Sequence, residues 1–110
     1  MKGREGGYMK DVKSYTILLI EASSYLQQAA NYLAKMIDKE NEVELSVTKA
    51  SMRGLSLQIT KLSRSECDMS ELQKIVDRTD KIINQIPPIP KVMQNAMLAR
   101  DNLIRAMSYC

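Results

Sequence analysis

The sequence predicts an all-α fold, arranged as a four-helix up-down-up-down bundle. Three observations carry this. Apolar residues recur every three or four positions in four separate stretches. The apolar content, 45% of the chain, comes largely from Leu, Ile, Met and Ala with no Phe and no Trp, a set that suits helix packing better than strands. The breaks between the stretches are short, which makes neighbouring helices antiparallel. At 110 residues the chain fits one domain and can bury a usable core without a metal or a disulfide scaffold.

Residues 1–8 hold three of the four glycines and read as a disordered tail ahead of a single helical domain over 9–110. Helix 1 is predicted over 9–39. Val12, Tyr15, Leu19, Ala22, Leu26, Ala29, Leu33 and Met36 form a heptad seam with no proline or glycine to interrupt it. At 1.5 Å per residue this helix is about 45 Å long. The run Asp38-Lys39-Glu40-Asn41-Glu42 marks a turn.

Helix 2 is predicted over 43–64, with its seam at Leu45, Thr48, Met52, Leu55, Ile59 and Leu62. Gly54 inside it costs up to about 1 kcal/mol relative to alanine. Simple tolerance and a close approach to helix 1 explain it equally well. Helix 3 is predicted over 69–86. Asp68 and Glu71 supply an acceptor at the cap and a carboxylate three residues on. Leu72, Ile75, Val76, Thr79, Ile82, Ile83 and Ile86 make its apolar face. Pro87-Pro88-Ile89-Pro90 must end it and reads as a rigid connector. Helix 4 follows over 91–109 with Val92, Met93, Ala96, Leu103, Ile104 and Met107 inward. Helix 1 should overhang helices 3 and 4, and two antiparallel hairpins, one long and one short, satisfy the same pattern.

The composition limits the chemistry. Without histidine there is no Ser–His–Asp or Cys–His site, no imidazole general base and no Glu-x-x-His di-metal bundle. Asp77 and Asp80 lie three apart on helix 3, but Lys74, Arg78 and Lys81 are interleaved with them, as on a solvated, salt-bridged surface. The glycine positions leave no phosphate-binding loop. No catalytic residues, metal ligands or cofactor are expected. No apolar run is long enough to span a membrane and the first residues lead into no cleavage pattern, so a cytoplasmic location is expected.

Three constellations remain. Between Lys13 and Lys35 the only Asp, Glu, Lys or Arg is Glu21, and Ile17 and Ile20 fall off the heptad seam. With Tyr25, Gln28 and Tyr32 they make an uncharged outer face, poor in charge and rich in tyrosine as interfaces are. The second is a set of basic residues, Lys49, Arg53, Lys61 and Arg64 on helix 2 with Lys74, Arg78 and Lys81 on helix 3. They offer an anion or nucleic-acid face if they converge, in a chain whose net charge is only +3. The third is Cys67 with Cys110. An up-down-up-down bundle places both at one end, where a disulfide would close a loop of about 44 residues, against the reducing cytosol that favours free thiols. The function expected is non-enzymatic: a helical assembly or adaptor module acting through protein–protein contacts, as a homodimer or higher oligomer joined by helix 1. The alternative is a nucleic-acid-associated accessory protein using the basic residues of helices 2 to 4.

Overall fold

A computed structural model describes residues 12–110; the predicted tail and the first residues of helix 1 lie outside them. The described residues form four helices and no strand: α1 (Val12–Ala34), α2 (Glu42–Ser63), α3 (Met69–Gln85) and α4 (Pro90–Met107). Each packs against its neighbour in sequence, and α4 closes the ring against α1, leaving α1 and α3 on one diagonal and α2 and α4 on the other. The chain is therefore one four-helix bundle rather than two separate hairpins.

The predicted seams supply the core. Tyr15, Leu19, Ala22, Leu26, Ala29 and Leu33 of α1 are buried, as are all six seam residues of α2. Each fully buried leucine contributes about 2 kcal/mol by leaving water. On α3, Leu72, Ile75, Val76, Thr79 and Ile82 are buried, with Ile86 just beyond the helix. On α4 the small residues Ala96, Ala99 and Ala106 are buried beside Val92 and Leu103, in the same core cluster as Ala22, Ala29 and Ala30 of α1. Two departures concern α4: Ile104, expected inward, is exposed, while Asn102 is buried and donates to the Leu18 carbonyl and the Glu21 carboxylate of α1. Position 102 lies on the α1 side of the helix, and position 104, two residues on, falls on the opposite flank.

α1 and α2 are joined by a clasp that the apolar pattern does not announce. Ser23 Oγ donates to the Ser56 carbonyl and Ser56 Oγ donates to the Ser23 carbonyl, each at 3.0 Å, with Thr60 Oγ1 2.8 Å from Ser23 Oγ. Only side chains this small let two helix backbones come close enough for such reciprocal bonds.

The helix ends follow from local chemistry. α1 stops at Ala34, short of the predicted residue 39. The N–H groups of Lys35, Met36 and Ile37 turn back to carbonyls three residues earlier, and Asp38 and Asn41 then build a side-chain-bonded turn. Asn41 Nδ2 also donates to the Met36 carbonyl, which the helix has left without a partner. Met36, expected on the buried seam, lies beyond the helix and is exposed. At this end α1 therefore does not overhang. Asp68 caps α3 by accepting from the Glu71 N–H at 3.1 Å. Pro90 begins α4 at the first helical position, where its missing N–H costs nothing. Gly54 is exposed, and a Cβ built on it would meet nothing within 4 Å, so no close approach to α1 explains it.

Candidate interaction surfaces

The outward side of α1 carries Ile17, Ile20, Ser24, Gln27, Gln28 and Asn31, all exposed. Ile17 is 44% and Ile20 53% accessible, in the first turns of α1 toward the disulfide end of the bundle. Glu21, the one charge in this stretch, accepts from Asn102 Nδ2 at 3.1 Å and so is engaged toward α4. Arg53 of α2 reaches the other edge, where its guanidinium donates to Asn31 at 3.4 Å. Between these edges the face has no charge of its own. Tyr25 and Tyr32, expected on this face, are half-buried against the core. The Tyr32 ring is flanked by the ammonium groups of Lys35 and Lys91, each 5.4 Å from its centre. The tyrosines thus border the face, and Ile17, Ile20 and Gln28 lie on it.

Cys67 and Cys110 form a disulfide with their Cα atoms 5.5 Å apart. The α2–α3 loop and the end of α4 meet there because successive antiparallel helices return to the same end. A cleft of about 480 Å³ opens beside the bridge, lined by Tyr15, Arg64, Ser65, Glu66 and Tyr109 with the two cysteines. Tyr15 is 3% exposed and its hydroxyl has no hydrogen-bond partner among the described residues. Burial pushes the Tyr15 phenol above its ordinary pKa, and the nearby Asp68 carboxylate pushes the same way.

The basic residues do not gather on one face. Arg78 and Lys81 line a groove of about 430 Å³ between α2 and α3, opposite Ser51, Gly54 and Gln58. Lys61 borders a smaller hollow further along the same side, next to Glu71. Lys74 is paired with Glu71 at 3.6 Å. Arg64 belongs to the disulfide end, and Arg53 faces α1 with Lys49 one turn before it. Asp80 is ion-paired with Arg100 of α4, whereas Asp77 accepts from Gln73, so the two aspartates point to different partners. Among the described residues no group of three or more His, Cys, Asp or Glu side chains could hold a metal ion. No described helix is long and apolar enough to cross a membrane. Comparison with known families, curated proteins and solved structures found no match.

One such surface escaped the sequence reading. Val43, Val47 and Leu57 of α2 are 82%, 62% and 61% accessible, the most exposed large apolar residues of the described chain. Ala50 and Gly54, between them, are exposed as well. Their spacing of four, three, four and three residues is a second heptad seam, on the opposite flank of the helix from the Ser23–Ser56 clasp.

Proposed function

We propose that this chain is a non-catalytic helical assembly module that acts through protein–protein contacts, beginning with its own copies. The observation that carries the reading is the charge-free outer face of α1, with Ile17 and Ile20 in water and Glu21 engaged by Asn102. Interface centres are depleted in charge, and covering this face would take Ile17 and Ile20 out of water without burying a charge. Pairing two α1 helices along Ile17, Ile20, Ser24 and Gln28 extends the bundle by coiled-coil-like contacts into a homodimer or larger assembly. Other protein partners would use the same surface.

A nucleic-acid role for α2 to α4 has less behind it. Lys49 and Arg53 lie on the α1 side of α2, whereas Lys61 of α2 and Arg78 and Lys81 of α3 lie along the α2–α3 groove, with Glu71 beside Lys61. A cytoplasmic location remains part of the proposal, and it bears on the cysteine bridge. Structural disulfides occur in the cytosol of hyperthermophiles, whereas mesophiles keep them in oxidising compartments.

The test is the double variant Ile17→Glu/Ile20→Glu. Both positions are exposed, so the fold should persist while charge enters the face. Light scattering at micromolar concentration should show the variant less associated than the wild type. Equal association of the two proteins would refute a role for α1.

A further inference from the structure

On reversal the exposed seam of α2 sets like against like at its centre, whereas on the α1 face Ile17 and Ile20 fall opposite Asn31 and Gln28. Val43, Val47, Ala50, Gly54, Leu57 and Lys61 are placed symmetrically about residue 52, so that a reversed copy of the helix presents the same positions in the same order. An antiparallel copy brings Val47 level with Leu57, Ala50 with Gly54, and Val43 with Lys61. The large apolar pairs then flank a centre made of an alanine and a glycine on each helix, where the backbones can approach most closely. The glycine that weakens α2 without serving the bundle, with open space around its Cα, thereby acquires a packing reason.

Charge selects the same orientation. The first turn of α2 holds Glu42 and Glu44, and its last turn holds Lys61, followed by Arg64 at the cap. Antiparallel pairing sets Lys61 of one copy over Val43 of the other, with its ammonium between Glu42 and Glu44 and its stem on the valine. Parallel pairing would set acids against acids and bases against bases. The helix dipoles also favour the antiparallel arrangement.

From this we infer that α2 docks a second copy of the chain, antiparallel, about a twofold axis near residue 52. The inference does not rest on α1: it concerns another face and is read by other variants. If both faces pair, two different twofold contacts on one chain lead past a dimer, to a closed tetramer or an open array.

The experiment uses the full chain and sedimentation equilibrium over the micromolar range, with circular dichroism to follow the fold. Gly54→Leu fills open space in the monomer and improves helix propensity, so it should keep or raise thermal stability at low concentration. It should nonetheless weaken association through α2 by about tenfold or more, because it forces the two helices apart. Leu57→Lys should do the same. Lys61→Glu should weaken association, and adding Glu44→Lys should restore it, as only a copy-to-copy contact can. To separate this face from α1, the series is repeated on Ile17→Glu/Ile20→Glu. There the proposal expects a dimer, twice the 12.5 kDa of the chain, that Gly54→Leu dissociates. A folded Ile17→Glu/Ile20→Glu protein that stays at 12.5 kDa throughout would overturn the α2 contact. Association indifferent to Gly54→Leu and Leu57→Lys would overturn it as well.

Discussion

Removing the Cys67–Cys110 bridge is the perturbation whose size can be worked out most directly. The two cysteines are 43 positions apart, and their Cα separation of 5.5 Å lies where unstrained disulfides fall. Closing a loop of about 44 residues removes entropy from the unfolded chain worth about 4 kcal/mol at 25 °C in the chain-entropy model. The bridged segment spans α3, α4 and their connector, so most of the two helices beyond α2 are held in that loop. For a chain of this size about 4 °C of melting temperature goes with each kcal/mol, so Cys67→Ser/Cys110→Ser should melt roughly 15 °C below the oxidised wild type. The native helix content should not change, because the bridge acts on the unfolded state. Thermal unfolding followed by circular dichroism, with and without reductant, reads both quantities. Reductant should lower the wild type to the variant and leave the variant where it is. Equal melting points for oxidised wild type and variant, or two alkylatable thiols in the native protein by intact-mass measurement, would refute the reasoning.

Three further outcomes follow from single side chains. Tyr15→Phe removes a buried hydroxyl that has no partner among the described residues and should stabilise the fold by about 1 kcal/mol at neutral pH. Because burial holds the Tyr15 phenol above its ordinary pKa near 10, the wild type keeps this group's contribution below pH 10 and loses it as pH rises through the folded value. The advantage of Tyr15→Phe in urea unfolding should therefore widen above pH 10; a constant difference would contradict the assignment. Ser56→Leu should cost about 1–3 kcal/mol, since the α1–α2 backbones at the clasp leave no room for it, and an unchanged urea midpoint would remove the clasp from the account. Asp68→Ala should lower stability by about 1 kcal/mol through the lost cap on Glu71, with no effect on association.

The fold was legible wherever one helix face was apolar and the other was not. The buried seams of α1 and α2 and the α3 face follow from spacing, and the proline stop from the backbone donor that proline lacks. What spacing cannot rank is two seams on one helix. α2 carries one through Leu45, Met52 and Ile59 and another through Val43, Val47 and Leu57, and only the packing of α1 and α3 decides which is covered. The Ser23–Ser56 clasp was hidden for a related reason: serine is polar in any tally of apolar periodicity, yet its size is what admits the neighbouring helix. The early end of α1 depended on side-chain bonds of Asp38 and Asn41 that outweigh a continuing apolar pattern at Met36. Of the expected α1 face, Ile17, Ile20 and Gln28 are exposed, whereas Tyr25 and Tyr32 are drawn to its margin by α4, whose position the α1 sequence does not specify.

Self-association is the central claim, and the mass of the unmodified chain in solution tests it most directly. Sedimentation equilibrium from low to high micromolar concentration, at low and at high salt, is the measurement. The weight-average mass should rise above 12.5 kDa with concentration. It should still do so at high salt, because the α1 face holds no charge for salt to screen. A mass of 12.5 kDa at every concentration and both salts would contradict the account.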